Sequence, residues 1–246
     1  MNRSIGRQRL LALLVAASVS GTATPLRAQV GYPPSRSPYR DLIETQEVTI
    51  FSGYYRAKKD PARVAPQRGP MVGMLYQWRP SGPANLNFSV SRVSSERNVL
   101  DPELSNSCAS GATLDCKLIG KYRWPLYLFD AGLALSLTGA RSFFHVVPEV
   151  KGGLGLASDF HTQSDLGDFG FGTRFAFSWG LGMRWVPGGR YQLRADVLNH
   201  LYSLRYPESY YVAAPDKSVI FTSRQSRTAW LNNPGFTIGF SYLFSK

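Results

Sequence analysis

Three histidines stand in the 246-residue chain, His145, His161 and His200, and only the last has a serine close by in a suggestive setting. In "LNHLYS", residues 198–203, Ser203 follows His200 by three positions. A serine activated by a histidine is an acyl-transfer nucleophile when a third group orients the imidazole and the two side chains meet. Spacing marks no such third group here. His145 and His200 both fall in periodic segments, where a hydrogen-bonded structural histidine is the simpler role. Asp159, Asp165 and Asp168 make one segment acidic. They lack the spaced ligands and closing bidentate Glu of a calcium loop, so solvated loop charges are expected. Arg56, Lys58, Lys59, Arg63 and Arg68 crowd around Asp60. Such groups bind phosphate well, and a merely soluble loop has the same composition. No glycine-rich phosphate loop, metal-ligand spacing or internal repeat appears. The chain is therefore expected to be non-enzymatic, with no metal and no cofactor.

Cys108 and Cys116 are the two cysteines, set in a stretch of Ser, Asn and Gly. In an exported chain a lone pair admits one connectivity, so a local disulfide is expected. Export is signalled at the start. Arg3, Arg7 and Arg9 precede an apolar run from Leu10 that fades after Val19, and small residues follow it. This is the pattern of a secretory signal peptide, too short for a membrane helix. Cleavage after Ala28 is the preferred reading, with Ala23 as the second choice. Removing residues 1–28 takes Arg3, Arg7, Arg9 and Arg27 from 28 basic residues and leaves 24 against 16 acidic ones, a net charge of +8. Anionic partners such as lipid phosphates suit that balance. Nucleic acid is not expected, because the basic residues form no recognisable binding motif. Residues 29–44, with Pro33, Pro34 and Pro38, read as an extended leader.

From residue 45 onward the signal is alternation with period two, the mark of a strand with two unlike faces. It recurs over 46–55, 70–79, 84–93, 125–138, 143–156, 173–186 and 190–202, and last in "TIGFSYLF", 237–244. The sixth is the cleanest: Phe175, Phe177, Trp179, Leu181, Met183 and Trp185 oppose Arg174, Ala176, Ser178, Gly180, Gly182 and Arg184. Strands this long exceed the usual five or so residues of a globular sheet and suit a tilted membrane crossing. The connections alternate in length. "PSGP", "GARS" and "PGG" are short, whereas 56–69, 94–124, 157–172 and 203–233 are long. Membrane barrels sort tight turns to one side and long loops to the other. A mean hydropathy of −0.18 agrees with strands that are apolar on one face only.

The bulky face cannot point inward, because an eight-stranded barrel has room inside for side chains that just fill it. Small residues and a few charges fit instead. Glu47, Asp130, Glu149, Lys151, Arg174, Arg184, Arg194 and Asp196 share the inward parity, four acids and four bases. A mutually neutralising set of buried ion pairs is expected from them. Trp78, Trp185, Tyr191, Tyr242 and Phe244 at one end, with Tyr54, Trp124, Tyr202 and Trp230 at the other, read as two interfacial girdles.

At the C-terminus, Thr237, Gly239, Tyr242 and Phe244 follow the order polar, Gly, apolar, aromatic. This resembles the assembly signal of the bacterial outer-membrane β-barrel domain family, with Ser245 and Lys246 added beyond the aromatic. The resemblance covers the chain after residue 44. It implies an all-β, eight-stranded, antiparallel, up-and-down transmembrane barrel over 45–246 in the outer membrane. It also implies a periplasmic leader and recognition by the barrel-assembly machinery. Outer-membrane lipid and lipopolysaccharide are the expected partners, and the monomer the expected state. Lipid A deacylases are eight-stranded barrels too, and a lipid-modifying enzyme is the alternative; the motif His, any residue, Ser, Asn is absent here.

Overall fold

A computed structural model describes residues 37–104, 114–215 and 217–244. The predicted signal peptide, residues 29–36 of the leader, Cys108, Ser245 and Lys246 lie outside the described residues.

Twelve strands are present among the described residues: β1 (Tyr39–Asp41), β2 (Gln46–Tyr55), β3 (Gly69–Ser81), β4 (Ala84–Val93), β5 (Glu96–Leu100), β6 (Leu118–Arg123), β7 (Leu126–Ser136), β8 (Arg141–Phe143), β9 (Val146–Ser158), β10 (Thr173–Gly188), β11 (Tyr191–Arg205) and β12 (Thr228–Phe244). Eight of them form the wall, in the order β2, β3, β4, β7, β9, β10, β11, β12, each antiparallel to the next. The ring closes where β12 returns to β2, with Gly235 opposite Tyr55 and Phe244 opposite Gln46. Closure leaves no unpaired edge, which a bilayer interior demands of any strand that crosses it.

Alternation sorts the side chains as the residue types require. Along β10, Phe175, Phe177, Trp179, Leu181, Met183 and Trp185 are all exposed, while Ala176, Ser178, Gly182 and Arg184 are buried. The same outward set continues through Ile50, Met74, Phe88, Leu133, Leu154, Val197 and Ile238 around the ring. Leu243, which interrupts the C-terminal alternation in sequence, is buried and closes the turn end of the interior.

The turn end differs from the sequence reading at one place. "GARS" is not a tight turn: β7 and β9 are separated by residues 137–145, which contain β8. Phe144 and His145 there adopt positive φ, a conformation strands do not tolerate, so the strand begins at Val146 and not at 143. The backbone carbonyl of Pro38 accepts from Phe144 N–H at 3.0 Å, and β1 pairs with β8. The last part of the predicted leader is thus tied to this turn.

At the other end the strands run further than their sequence pattern. β12 begins at Thr228, nine residues before the clean alternation. Asn232 and Asn233 read as the end of a loop, yet they and Pro234 pair with β11. Pro234 is tolerated because β2 has already ended on that side, and its carbonyl accepts from Arg56 N–H at 2.8 Å. The interior here is apolar. Tyr55, Met71, Val93, Leu126, Leu128, Tyr202, Leu204 and Leu231 are buried with Phe169, Phe171, Tyr206, Tyr210 and Phe221 from the loops. Tyr202 is therefore an interior residue and not a girdle residue. Tyr54 and Trp230 do face outward, as do Trp78, Trp185, Tyr191 and Tyr242 at the turn end.

An outward face that meets hydrocarbon has a measurable signature. Leu181, 62% exposed in mid-strand, is expected to lose about 2–4 kcal/mol of folding stability on Leu181→Arg in lipid vesicles. Leu166→Arg, in a loop and 76% exposed, should leave the same denaturant titration unchanged. Equal tolerance of both substitutions would mean that the β10 face is not in lipid.

Candidate functional site

The turn-side half of the lumen holds a network of charges built by inward positions two residues apart. β9 supplies Glu149 and Lys151, β11 supplies Gln192, Arg194 and Asp196, and β2, β3 and β10 add Glu47, Gln77 and Arg184. All eight side chains are buried. Arg194 sits at the centre. Its guanidinium reaches Glu47, donates to Glu149 Oε2 at 2.9 Å and to Gln77 Oε1 at 3.0 Å, and its Nε lies 3.0 Å from Asp196. Arg184 contacts Glu47 at 3.0 Å and Glu149 at 2.9 Å. Gln192 donates to Glu47, Gln77 donates to Glu149 at 3.0 Å, and Lys151 donates to Asp196 at 2.5 Å.

Arg184 stands directly opposite Arg194 across β10 and β11. Like charges in that position repel. Here Glu47 and Glu149 each bridge both arginines, so the repulsion is absorbed. Three acids and three bases leave the set neutral, as burial requires. Gly182 makes room for it: a Cβ there would lie 2.3 Å from Asp196 Oδ1.

Six of the eight charges singled out in sequence meet in this network. Asp130 and Arg174 do not. Asp130 accepts from or pairs with His200 Nε2 at 3.2 Å, higher in the lumen. Arg174 lies at the loop end, where it donates to the carbonyls of Phe171 and Gly170 at 2.8 and 3.1 Å. Gln77 and Gln192 were not singled out, although their inward parity was readable. Between the network and the apolar plug lies a cavity of about 50 Å³, lined in part by Asn87, Ser178, Asp130 and His200. Among the described residues, Asn87 Oδ1, Asp130 Oδ1 and His200 Nδ1 have no hydrogen-bond partner. A space this size suits a few waters.

The histidines have structural surroundings. His200 is buried and faces the lumen, whereas Ser203 is on the other face of β11, since three residues along a strand reverse the side. The two do not form a nucleophile–base pair. His145 Nδ1 lies 2.9 Å from the Val186 carbonyl, joining the turn to β10. His161 packs on Trp124 at 4.9 Å. Among the described residues no group of three or more His, Cys, Asp or Glu is placed to hold a metal ion.

The loops form a packed cap, and here the expectation of solvated acids fails for Asp159 and Asp165, which are buried, while Asp168 is exposed as expected. Asp165 is buried in a two-point pair with Arg97, which lies 3.8 Å over the Trp124 ring. Trp124 is thus a cap residue as well as a loop neighbour. Lys117, fully buried, donates to the Pro102 carbonyl at 2.6 Å. Asp60 accepts from Ala62 N–H at 3.2 Å, Ala65 N–H at 2.9 Å and the Tyr206 hydroxyl at 2.9 Å. Burial raises the Asp60 pKa above the ordinary carboxylate value, against the lowering by those donors. Its contribution to stability is therefore complete below the ordinary value and is lost as pH climbs through the raised one. Burial, and then the Asp60 charge, push the Tyr206 hydroxyl well upward. Loop residues carry no periodicity, so nothing in the sequence announced these pairs. Cys116 precedes Lys117, but Cys108 is outside the described residues, so the expected disulfide remains an expectation.

An apolar belt around a neutral, charged interior decides the surroundings. The chain is a membrane-spanning β-barrel. Antiparallel barrels with turns at one end and long loops at the other are the architecture of the outer membrane, and that is where this one resides. Of the residues expected to form an assembly signal, Thr237 and Gly239 face inward, Tyr242 faces outward, and Phe244 ends the last strand.

Solved structures with this architecture are similar to it. The crystal structure of Neisserial surface protein A has 12% identity over 81% of this chain and 97% of that one, with a TM-score of 0.49. Outer membrane protein W of E. coli has 11% identity over 82% and 100%, with a TM-score of 0.48. OprG of Pseudomonas aeruginosa has 10% identity over 82% and 98%, with a TM-score of 0.45. No family model matches the sequence, and no curated protein matches it.

Removing one member of the lumen network strands its partners. Arg194→Met is expected to destabilise the barrel by about 3–5 kcal/mol, because three buried acids then face only Arg184 and Lys151 and one negative charge is left uncompensated. Adding Glu47→Gln to it should recover part of the loss. Arg123→Ala, which removes an exposed partner of Glu96, should change nothing measurable. Denaturant-induced unfolding in lipid vesicles checks all three.

Proposed function

We propose that the chain is a non-enzymatic outer-membrane barrel, closed to solutes, that acts through its loop cap as a structural or binding element. The observation that carries this is the cap itself. Its loops interlock through buried polar pairs, Arg97 with Asp165 and Asp60 with Tyr206, above an interior filled by Tyr55, Tyr202 and their apolar neighbours. Loops held this way present a preformed surface and lose little freedom on binding. In this reading the loop end faces the exterior and the turn end, with the leader, faces the periplasm. The last strand serves the barrel-assembly machinery, and the barrel is a monomer.

The competing reading is an enzyme acting on outer-leaflet lipid, which the separation of His200 from Ser203 does not favour. Two measurements separate the possibilities. Planar-bilayer recordings should show no steady nanosiemens-scale openings, and mass spectrometry of lipid A should be the same in cells with and without the protein. Steady openings would make it a pore; altered acylation would make it an enzyme.

A further inference from the structure

A cleft of about 790 Å³ runs across the loop end from the barrel wall to the β5–β6 hairpin. Its wall side is made by Asn232 and Pro234, exposed residues of β12, and by Arg56, the first residue after β2. Asn98 and Lys121 of the hairpin form the far side. The first loop is fastened to the wall between them: Lys58 N–H donates to Asn233 Oδ1 at 3.0 Å.

Six basic residues and two acids, Asp60 and Asp115, line this cleft. Arg56, Lys58, Lys59, Arg68 and Lys121 line it, all exposed, and among the described residues none of them is in an ion pair with a carboxylate. Arg63 is paired with Asp115, at 3.7 Å and largely in solvent. Asp60, the acid at the centre of the first loop's sequence, does not balance them by contact, because its carboxylate is buried and turned onto Ala62, Ala65 and Tyr206. Lysines and arginines that outnumber the acids on a concave surface raise the local concentration of anions, and both side chains suit phosphate.

Position says which phosphate. Phe236 stands opposite Tyr54, one of the outward aromatics toward the loop end, and each is 48% exposed. Pro234 and Arg56 follow immediately above them. An anion in the cleft is therefore placed at headgroup height, and any acyl chains it carries lie along Tyr54 and Phe236. A soluble anion would have no use for that continuity. We propose that the cleft binds the phosphate groups of a phosphorylated glycolipid of the outer leaflet. The inference rests on the loop end facing outward.

Titration of the full-length folded barrel in detergent tests it, with three probes: bisphosphorylated lipid A, the same lipid stripped of phosphate, and inorganic phosphate. Three proteins are compared: the unaltered chain, Lys58→Ala with Lys121→Ala in the cleft, and Lys217→Ala with Arg224→Ala on the loop after β11. The two variants lose the same charge, and heat-modifiable gel mobility verifies that each is folded. Bisphosphorylated lipid A should bind the cleft variant about tenfold more weakly than the unaltered chain, and the control variant within about twofold. Equal loss in both variants, indifference to the lipid's phosphates, or inorganic phosphate binding as tightly as the lipid would each overturn the proposal. A barrel that conducts ions or alters lipid A would instead overturn the functional reading while leaving these titrations to stand on their own.

Discussion

An eight-stranded barrel encloses space for little more than one layer of side chains, and that limit governs the rest of the molecule. Strands with two unlike faces can satisfy it in one way. The face rich in Phe, Trp, Leu and Met goes outward, and the face of Gly, Ala, Ser and charge goes inward. Once outward, the bulky face needs an apolar solvent; once inward, the charges need one another. Membrane location and the Arg194 network are consequences of the same geometric shortage.

The interior resolves into two regimes. Toward the turns, Glu47, Glu149 and Asp196 are balanced against Lys151, Arg184 and Arg194, with Gln77 and Gln192 completing their hydrogen bonds. Toward the loops, Leu126, Leu128, Tyr202 and Leu204 replace charge with apolar contact, and the cap excludes water above them. The boundary is the small cavity beside His200 and Asp130, lined by both polar and apolar residues. Ion pairs lock specific partners together, whereas the apolar half joins barrel and loops into one core. The loop surface is held in shape from beneath as a result.

Much of this was legible because period two is a local signal. β2 and β4 have the bounds that alternation gives them, and the β10 faces divide as their residue types do. The failures are non-local. Residues 228–233 read as part of the last long loop, whereas β12 runs through them, and Pro234 is tolerated there because β2 ends beside it. The 137–145 turn is longer than its composition suggests, since β8 pairs with β1 about a hundred residues earlier in the chain. In the charge network, parity placed eight residues inside but carried no height along the barrel, so Arg174 and Asp130 were grouped with partners they do not reach. Asp60 and Tyr206, 146 residues apart, meet through loop packing that no periodicity encodes.

The claim on which everything turns is that the outward face contacts hydrocarbon, and Trp179 reports on it most directly. It lies in mid-strand on β10 and is 59% exposed. In a variant that keeps Trp179 and replaces the other four tryptophans by Phe, vesicles of phospholipid brominated at mid-chain should quench its fluorescence strongly. Aqueous iodide should have little effect. Quenching by iodide with indifference to the brominated lipid would put the face in water and contradict the account.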